Sequence, residues 1–198
     1  MTATTQGERA RALTAASQAL DARALVLEET TERAVLDWRP PDGGWSIGQV
    51  FEHLILANED YLAAIQRALD TRSPDGRGTF AATPWKPSLA GRLLVRSFES
   101  PRKSRAPTLW RPSPVARPNV IGEFLARQRR LAELIDRSTA FDWQRVRLAS
   151  PVSSLIRMNI GDAFTILVTH AERHFRQIER IRAGYEAGVT PRATAFSR

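Results

Sequence analysis

The chain has 198 residues, of which 42% are hydrophobic and 25% charged, a composition typical of one soluble globular domain. It contains no cysteine, which excludes disulfides, cysteine–zinc sites and a thiol nucleophile supplied by the protein. The net charge of +8 raises the question of a nucleic-acid partner, but most arginines are mixed with acids along the predicted helices, which argues against one.

No apolar segment in the sequence predicts a membrane span or an export signal. Residues 1–18 lack the apolar centre of a signal peptide. No stretch reaches the roughly 18 uninterrupted apolar residues that a membrane span requires. We therefore expect a cytoplasmic protein without a membrane partner.

The first predicted helix runs from about Thr5 to Leu36. Thr5 and Glu8 have the spacing of a capping box, in which each side chain binds the backbone N–H of the other residue. Apolar residues recur on one side at helical spacing: Leu13, Ala16, Leu20, Ala24 and Leu27. The sequence RPPDGGW, residues 39–45, then ends the pattern, because paired prolines cannot continue a helix and paired glycines favour a turn.

The second predicted helix begins after Ser46, which forms a capping box with Gln49, and continues to about Leu69. Its apolar side carries seven residues at helical spacing: Val50, His53, Leu54, Ala57, Tyr61, Ala64 and Ala68. His53 therefore faces the core, about two turns after the cap.

Residues 72–118 are interpreted as an insertion rich in proline and arginine. Eight prolines interrupt this stretch: Pro74, Pro84, Pro87, Pro101, Pro107, Pro112, Pro114 and Pro118. Only the sequence SLAGRLLVRSF, residues 88–98, has the pattern of a short helix. The part from Pro101 to Pro118 combines basic residues with one tryptophan, and we expect it to run over the surface.

Two further helices complete the predicted fold. The third covers residues 119–137, and the fourth is capped by Asn159 with Asp162 and ends at about Ala183, before Gly184. No strand alternation persists anywhere. The predicted fold is therefore all-α, a four-helix bundle with a long crossover between helices two and three.

The fourth predicted helix carries His170 and His174 four residues apart, in the middle of its apolar side. If this helix neighbours the second one, His53 joins them and three imidazoles can hold a transition-metal ion with open positions left for water or substrate. The other interpretation is that each histidine is a hydrogen-bonded core residue. Spacing alone leaves both interpretations open.

Two motifs in the sequence resemble the DinB/YfiT-like superfamily of metal-binding four-helix bundles. Residues 43–54, GGWSIGQVFEHL, resemble its Trp-Ser entry to helix two with the histidine that follows. Residues 159–181, NIGDAFTILVTHAERHFRQIERI, resemble its closing helix. This resemblance implies one DinB-like domain over residues 1–198, with the insertion at about 72–118. It also implies a divalent ion such as nickel, zinc or iron bound by His53, His170 and His174.

The same resemblance implies a reaction class. Members of the superfamily include transferases and isomerases that use a low-molecular-weight thiol, so a metal-dependent thiol transferase acting on a small electrophilic molecule is expected. A thiol that arrives as cosubstrate fits a chain without cysteine, and Arg173 and Arg176 are candidates for holding its carboxylate, unless they are surface charges. A hydrolase is less expected, because Ala171 replaces the general-base glutamate of the His-Glu-x-x-His zinc proteases. No catalytic side chain is identified.

Three polar residues are candidates for holding the histidines in place. Gln49 and Asp60 flank His53 at i−4 and i+7, and Gln177 lies at i+3 from His174. Each also has a structural alternative, as a cap, a surface charge or an interhelical hydrogen bond.

A non-enzymatic metal-binding or polyanion-binding bundle is the alternative function. The polyanion would contact what we call the basic segment, five cations and one aromatic residue: Arg102, Lys103, Arg105, Trp110, Arg111 and Arg117. Bundles with an exposed edge commonly pair as homodimers, although no residue here specifies one.

Overall fold

The structure is a computed structural model that describes residues 4–100 and 105–188. Within these ranges the helices are α1 (Gln6–Thr30), α2 (Arg33–Asp37), α3 (Ile47–Asp70), α4 (Leu89–Glu99), α5 (Val120–Ser138) and α6 (Ile160–Glu186). A 3₁₀ turn spans Thr108–Trp110, and two strands, β1 (Arg147–Ser150) and β2 (Ser153–Asn159), precede α6.

The four long helices form the predicted four-helix bundle. Helices α1 and α3 each pack against both α5 and α6, so every long helix has two long neighbours. The crossover between the second and third of these helices, α3 and α5, is the long one that the sequence predicts. For function the important contact is between α3 and α6, because these two helices carry the three histidines.

All three predicted helix caps are confirmed. Thr5 with Glu8, Ser46 with Gln49, and Asn159 with Asp162 each form both hydrogen bonds of a capping box. Each box satisfies two backbone N–H groups that a helix start would otherwise leave without a partner.

Two predicted helix boundaries are wrong. The first helix ends at Thr30, because Thr31 adopts an extended conformation and the chain restarts as the short helix α2. The fourth helix does not end before Gly184 but continues through it to Glu186. A glycine ends a helix only where the backbone adopts a left-handed conformation, and here that conformation occurs at Gly188 instead.

A two-stranded antiparallel hairpin, β1–β2, is present where the sequence predicted no strand. Alternation of buried and exposed residues is confined to short runs, such as Arg147, Leu148, Ala149 and Ser150, and is too brief to separate from a loop pattern. The hairpin packs on α3 and α4, and β2 leads directly into the cap of α6. It is an addition to a fold that remains helical.

The crossover begins by packing on the bundle. Helix α4, predicted from its pattern, lies against α6, and both Asp162 carboxylate oxygens accept the backbone N–H of Ser88 at 3.1–3.2 Å. Gly91 makes this approach possible, because a Cβ there would lie 2.3 Å from the Asp162 carboxyl carbon.

The later part of the crossover runs mostly over the surface, as predicted, but two of its residues are buried against the bundle. Trp110 is 5% exposed and Ala116 is 6% exposed, and the 3₁₀ turn that ends at Trp110 packs on α3. Residues 101–104, including Arg102 and Lys103 of the basic segment, lie outside the described residues.

Aromatic side chains join the helices at the centre of the bundle. Phe51 of α3 makes edge contacts with Phe124 of α5 and Phe175 of α6, at ring-centroid distances of 5.3 and 5.7 Å.

Among the residues that the structure describes, no helix is both long enough and apolar enough to cross a membrane.

Candidate metal centre

The three histidines lie together in the interior. His53 is on α3, two turns after its Ser46 cap, and His170 and His174 are one turn apart on α6. Their exposed fractions are 2%, 7% and 8%. The structure thus brings together the three residues that the sequence singled out.

The spacing of the imidazole nitrogens suits a metal ion. Nε2 of His170 is 3.2 Å from Nε2 of His53 and 3.1 Å from Nε2 of His174. An ion 2.0–2.1 Å from each nitrogen would leave neighbouring nitrogens about 2.9–3.4 Å apart, for bond angles between octahedral and tetrahedral. Each residue offers one nitrogen within 4.8 Å of the others, so the three histidines can hold a metal ion.

Hydrogen bonds at Nδ1 orient the rings of His53 and His174, so that the Nε2 lone pair of each is directed toward the position where a metal ion would bind. Nδ1 of His53 donates to the backbone carbonyl of Trp110 at 2.7 Å. Nδ1 of His174 donates to Oε1 of Gln177 at 2.9 Å. Because each neutral ring carries one proton, Nε2 of both residues keeps a free lone pair that points toward His170.

Burial keeps the three histidines neutral. It is the largest cause that lowers the pKa of His53, and it lowers the pKa of His170 well below the ordinary value, with help from the neighbouring His174 and His53. Burial and His53 together lower the pKa of His174 to about 3. Neutral imidazole is the form that binds a metal, so the site is ready to bind at pH 7.

The crossover forms part of the wall around the histidines. The ring of Phe98, in α4, lies 4.9 Å from that of His170. Arg173 donates hydrogen bonds to the carbonyls of Phe98 and Ser100, which fastens the end of α4 to α6. The ring of Trp45 lies 4.9 Å from that of His53.

A cavity of about 1210 Å³ opens beside the three histidines, which belong to its lining. Much of the wall is apolar or aromatic: Trp38, Trp45, Tyr61, Leu94, Phe98, Trp110, Ile156 and Ile181. Asp42 is the one acid among the described lining residues, whereas four arginines line the cavity: Arg105, Arg111, Arg173 and Arg180. The volume exceeds the roughly 300–1,000 Å³ of a pocket for one small ligand.

The three candidate supporting residues have different contacts. Gln177 binds His174 directly. Asp60 reaches the site through Trp110, whose indole N–H donates to Oδ2 of Asp60 at 2.7 Å. The amide N–H of Gln49 donates to the carbonyls of Ser113 and Pro114, so this side chain holds the crossover as well as the cap.

Several contacts at the candidate site could not be predicted from the sequence. The carbonyl of Trp110 leaves no sequence signal, because every residue has one, and the contact of Phe98 with His170 depends on how the crossover folds back. Trp110 is also buried, so its ring offers no face for stacking on a polyanion. Arg117 of the basic segment forms ion pairs with Glu52 and Glu123.

Comparison with known proteins identifies a family. A family model described as the DinB superfamily matches residues 12–178, which include all three histidines. No curated protein and no solved structure is similar enough to count as a match.

Proposed function

The chain belongs to the DinB superfamily, and on that premise we propose that it is a divalent-metal-dependent enzyme of thiol-transferase type. Nickel, zinc or iron would be held by His53, His170 and His174, and the substrates would be a low-molecular-weight thiol and a small electrophilic molecule. A divalent ion at this site would supply a Lewis acid that lowers the pKa of a thiol or water toward 7.

One observation carries the proposal: Nε2 of His170 lies 3.1–3.2 Å from Nε2 of His53 and of His174, and these three buried nitrogens have at most one proton to share. The hydrogen bonds of Trp110 and Gln177 assign the protons of His53 and His174 to Nδ1. If Nε2 of His170 carries a proton, it can donate a hydrogen bond to only one of the two neighbouring Nε2 atoms, those of His53 and His174, and the lone pair of the other keeps no partner. A bound cation satisfies all three lone pairs, which is why this donor set fits a metal.

Positive charge around the cavity favours an anionic substrate. After burial and His53, the charges of Arg173 and Arg180 also lower the pKa of His174, so both guanidinium groups act on the site. In the described part of the chain, Arg105, Arg111 and Arg180 line the cavity without forming an ion pair. The same charges stabilise a thiolate relative to a thiol.

The reaction balances without a further reactant. The thiol gives its proton to solvent, its sulfur forms a bond to an electrophilic carbon, and the leaving group departs with the electrons of the bond that breaks. The chain itself has no cysteine, so the sulfur comes from the cosubstrate. A cavity of about 1210 Å³ has room for both substrates beside the histidines.

The test begins with metal binding by the full chain. We expect one Zn²⁺ or Ni²⁺ per chain, and an excess of 100-fold over Kd adds about 2.7 kcal/mol to the free energy of unfolding. His170→Ala removes the central ligand and should abolish this stabilisation. The matched control is Gln128→Ala, which removes a buried side chain that hydrogen-bonds Ser17, away from the histidines, and should still bind the ion.

The second stage is turnover with a panel of thiols, including glutathione, and a halodinitrobenzene as chromogenic electrophile. We expect thioether formation above the uncatalysed rate, lost after chelation of the metal and in His170→Ala. Metal binding without turnover for any thiol would leave the non-enzymatic metal-binding alternative. Absence of stoichiometric metal binding would refute the proposal as a whole.

A further inference from the structure

Trp110 is attached to α3 at two points. Its backbone carbonyl accepts the Nδ1–H of His53, and its indole N–H donates to Oδ2 of Asp60, each at 2.7 Å. His53 and Asp60 are seven residues apart, which places them two turns apart on one face of the helix. One residue of the crossover therefore bridges two turns of α3.

We propose that Trp110 and Asp60 are positioning residues for the metal ligand His53. The carbonyl of Trp110 holds the imidazole in the tautomer and orientation that direct Nε2 toward His170, and Asp60 holds Trp110 in place through its indole. This inference rests on the proposed metal-dependent function. It means that the crossover between α3 and α5 orients one of the three metal ligands.

The surroundings of Trp110 support a rigid attachment. The side chain is 5% exposed, and its ring packs against Tyr61 at a centroid distance of 5.9 Å. A buried indole N–H without an acceptor costs about 1–3 kcal/mol, so the bond to Asp60 favours one position of the ring. The carbonyl belongs to the same residue, and its position follows from that of the ring.

The chain on the C-terminal side of Trp110 is fastened to α3 as well. The Gln49 side chain donates to the carbonyls of Ser113 and Pro114 at 2.8 and 3.2 Å. Glu52, which is 2% exposed, accepts a hydrogen bond from the hydroxyl of Ser113 at 3.0 Å. Glu52, the residue before His53, and Gln49, the N3 residue of the α3 capping box, therefore hold the segment that carries the carbonyl.

This attachment has a consequence for metal binding. A hydrogen bond to the second nitrogen of a histidine ligand orients the ring and makes it more basic, and its loss typically lowers metal affinity about 10–100-fold. A displaced Trp110 would leave Nδ1 of a buried imidazole without its acceptor and allow the ring to turn. Loss of the hydrogen bond between Asp60 and the indole of Trp110 should therefore reduce metal affinity, because Asp60 acts on His53 through Trp110.

The experiment measures Zn²⁺ affinity by chelator competition at fixed pH for the full chain and three variants. Trp110→Phe keeps the carbonyl and removes the indole N–H, whereas Asp60→Ala removes the acceptor. Asp60→Asn keeps a neutral oxygen that still accepts the hydrogen bond. We expect affinity to fall about tenfold in Trp110→Phe and Asp60→Ala and to be largely retained in Asp60→Asn.

The matched control is Trp85→Phe. Trp85 also buries its ring and donates its indole N–H to a side chain, Oδ1 of Asn159, at 3.3 Å, but it lies at the cap of α6 rather than beside the histidines. We expect this variant to be destabilised while its Zn²⁺ affinity stays unchanged. Equal loss of affinity in Trp85→Phe and Trp110→Phe would mean that general destabilisation is responsible, and would refute the proposal.

A spectroscopic measurement separates positioning from simple stability. Co²⁺ bound at the site has a visible spectrum that depends on ligand geometry, and we expect it to change in Trp110→Phe and Asp60→Ala but not in Trp85→Phe. If Asp60 acted only through its charge, Asp60→Asn would lose as much affinity as Asp60→Ala. Wild-type affinity in both Trp110→Phe and Asp60→Ala would refute the positioning role.

The outcomes also separate this proposal from the proposed function. Failure of the wild-type protein to bind Zn²⁺ and Co²⁺ would refute both. Wild-type binding that is unaffected by Trp110→Phe and Asp60→Ala would refute only the positioning role. Weakened binding in these variants, in a protein that transfers no thiol, would support positioning and refute only the reaction.

Discussion

At the scale of single residues, the site depends on which imidazole nitrogen carries the proton. Burial lowers the pKa of all three histidines and so favours their neutral form at pH 7. The hydrogen-bond acceptors at Nδ1 of His53 and His174 then leave Nε2 of each without a proton. The acceptors differ in kind, since one is a backbone carbonyl and the other is the side chain of Gln177. Only the Gln177 acceptor can be removed by substituting the residue that supplies it, because every residue at position 110 has a backbone carbonyl.

Gln177→Ala should therefore weaken metal binding directly. Without the acceptor for Nδ1 of His174, we expect Zn²⁺ affinity to fall about 10–100-fold in a chelator competition. Gln144→Ala serves as a control, because that amide donates to the carbonyl of Lys86, outside the cavity lining. Unchanged affinity in Gln177→Ala would show that the bond to His174 has no role in the ligand set.

The lowered pKa values also predict how stability depends on pH in the metal-free protein. His174 has a pKa of about 3 when folded and about 6.5 when unfolded, so between these values the unfolded state binds more protons. The free energy of unfolding should therefore fall as pH falls below about 6.5, with a slope of at most about 1.4 kcal/mol per pH unit for each such histidine. Above pH 6.5 this dependence disappears.

Urea denaturation at pH 7.5, 6.5 and 5.5, with a chelator present, measures this dependence. His174→Gln replaces the titrating ring by a neutral side chain and should show a smaller loss of stability between pH 6.5 and 5.5. The chain has three histidines, so the other two leave a residual slope. Identical slopes in the two proteins would contradict the lowered pKa.

At the scale of elements, one buried carboxylate joins two helix starts. Asp162 is 1% exposed and accepts the backbone N–H of Asn159, in its own cap, and that of Ser88, at the start of α4. Burial raises its pKa, and these hydrogen bonds oppose that rise. Helix α4, which carries Phe98 to the histidines, is positioned by this contact.

Gly91→Ala should disturb the contact between Asp162 and the start of α4. The new Cβ would lie 2.3 Å from the carboxyl carbon of Asp162, so α4 must move, and we expect a loss of about 1–3 kcal/mol in the free energy of unfolding. Gly184→Ala is the matched control, because Gly184 is helical and its Cβ would lie 3.4 Å from Trp38, an ordinary contact. This variant should gain about 0.5 kcal/mol. Denaturant titration of both variants checks the opposite signs.

At the scale of the whole molecule, part of the positive charge is balanced locally, and a net charge of +8 remains. In the described part of the chain, nine arginines form ion pairs with acids: Arg23, Arg33, Arg77, Arg117, Arg127, Arg130, Arg137, Arg145 and Arg182. Arg105, Arg111 and Arg180, which form no ion pair within the described residues, line a concave site. This distribution favours a small anion over a polynucleotide.

We therefore expect only weak binding to duplex DNA. At about 0.15 M salt, Kd should be no tighter than about 10⁻⁶ M, and binding should weaken steeply as salt increases, as for a non-specific basic protein. A fluorescence anisotropy titration with labelled duplex measures both quantities. Tight binding that persists in His170→Ala would instead favour the polyanion-binding alternative.

Much of the bundle could be predicted because its signals are local. The capping pairs, such as Ser46 with Gln49, lie three residues apart, and His170 and His174 share a helix face by virtue of their spacing. The hairpin was missed because its strands are stabilised by pairing between residues such as Leu148 and Met158, which no single short window reveals. The burial of Trp110 was missed for the same reason, since the partner of its indole is Asp60, 50 residues earlier.

The four long helices, their starts and the three inward histidines could be predicted from the chain alone, because periodicity and capping act over a few residues. The two motifs around those histidines also identified the family. Three further points required the packed fold: α3 and α6 are neighbours, Nε2 atoms from both helices lie 3.2 Å apart, and the crossover places the carbonyl of Trp110 within hydrogen-bond distance of His53. These contacts join residues far apart in the chain, and their geometry depends on the packing of the whole bundle.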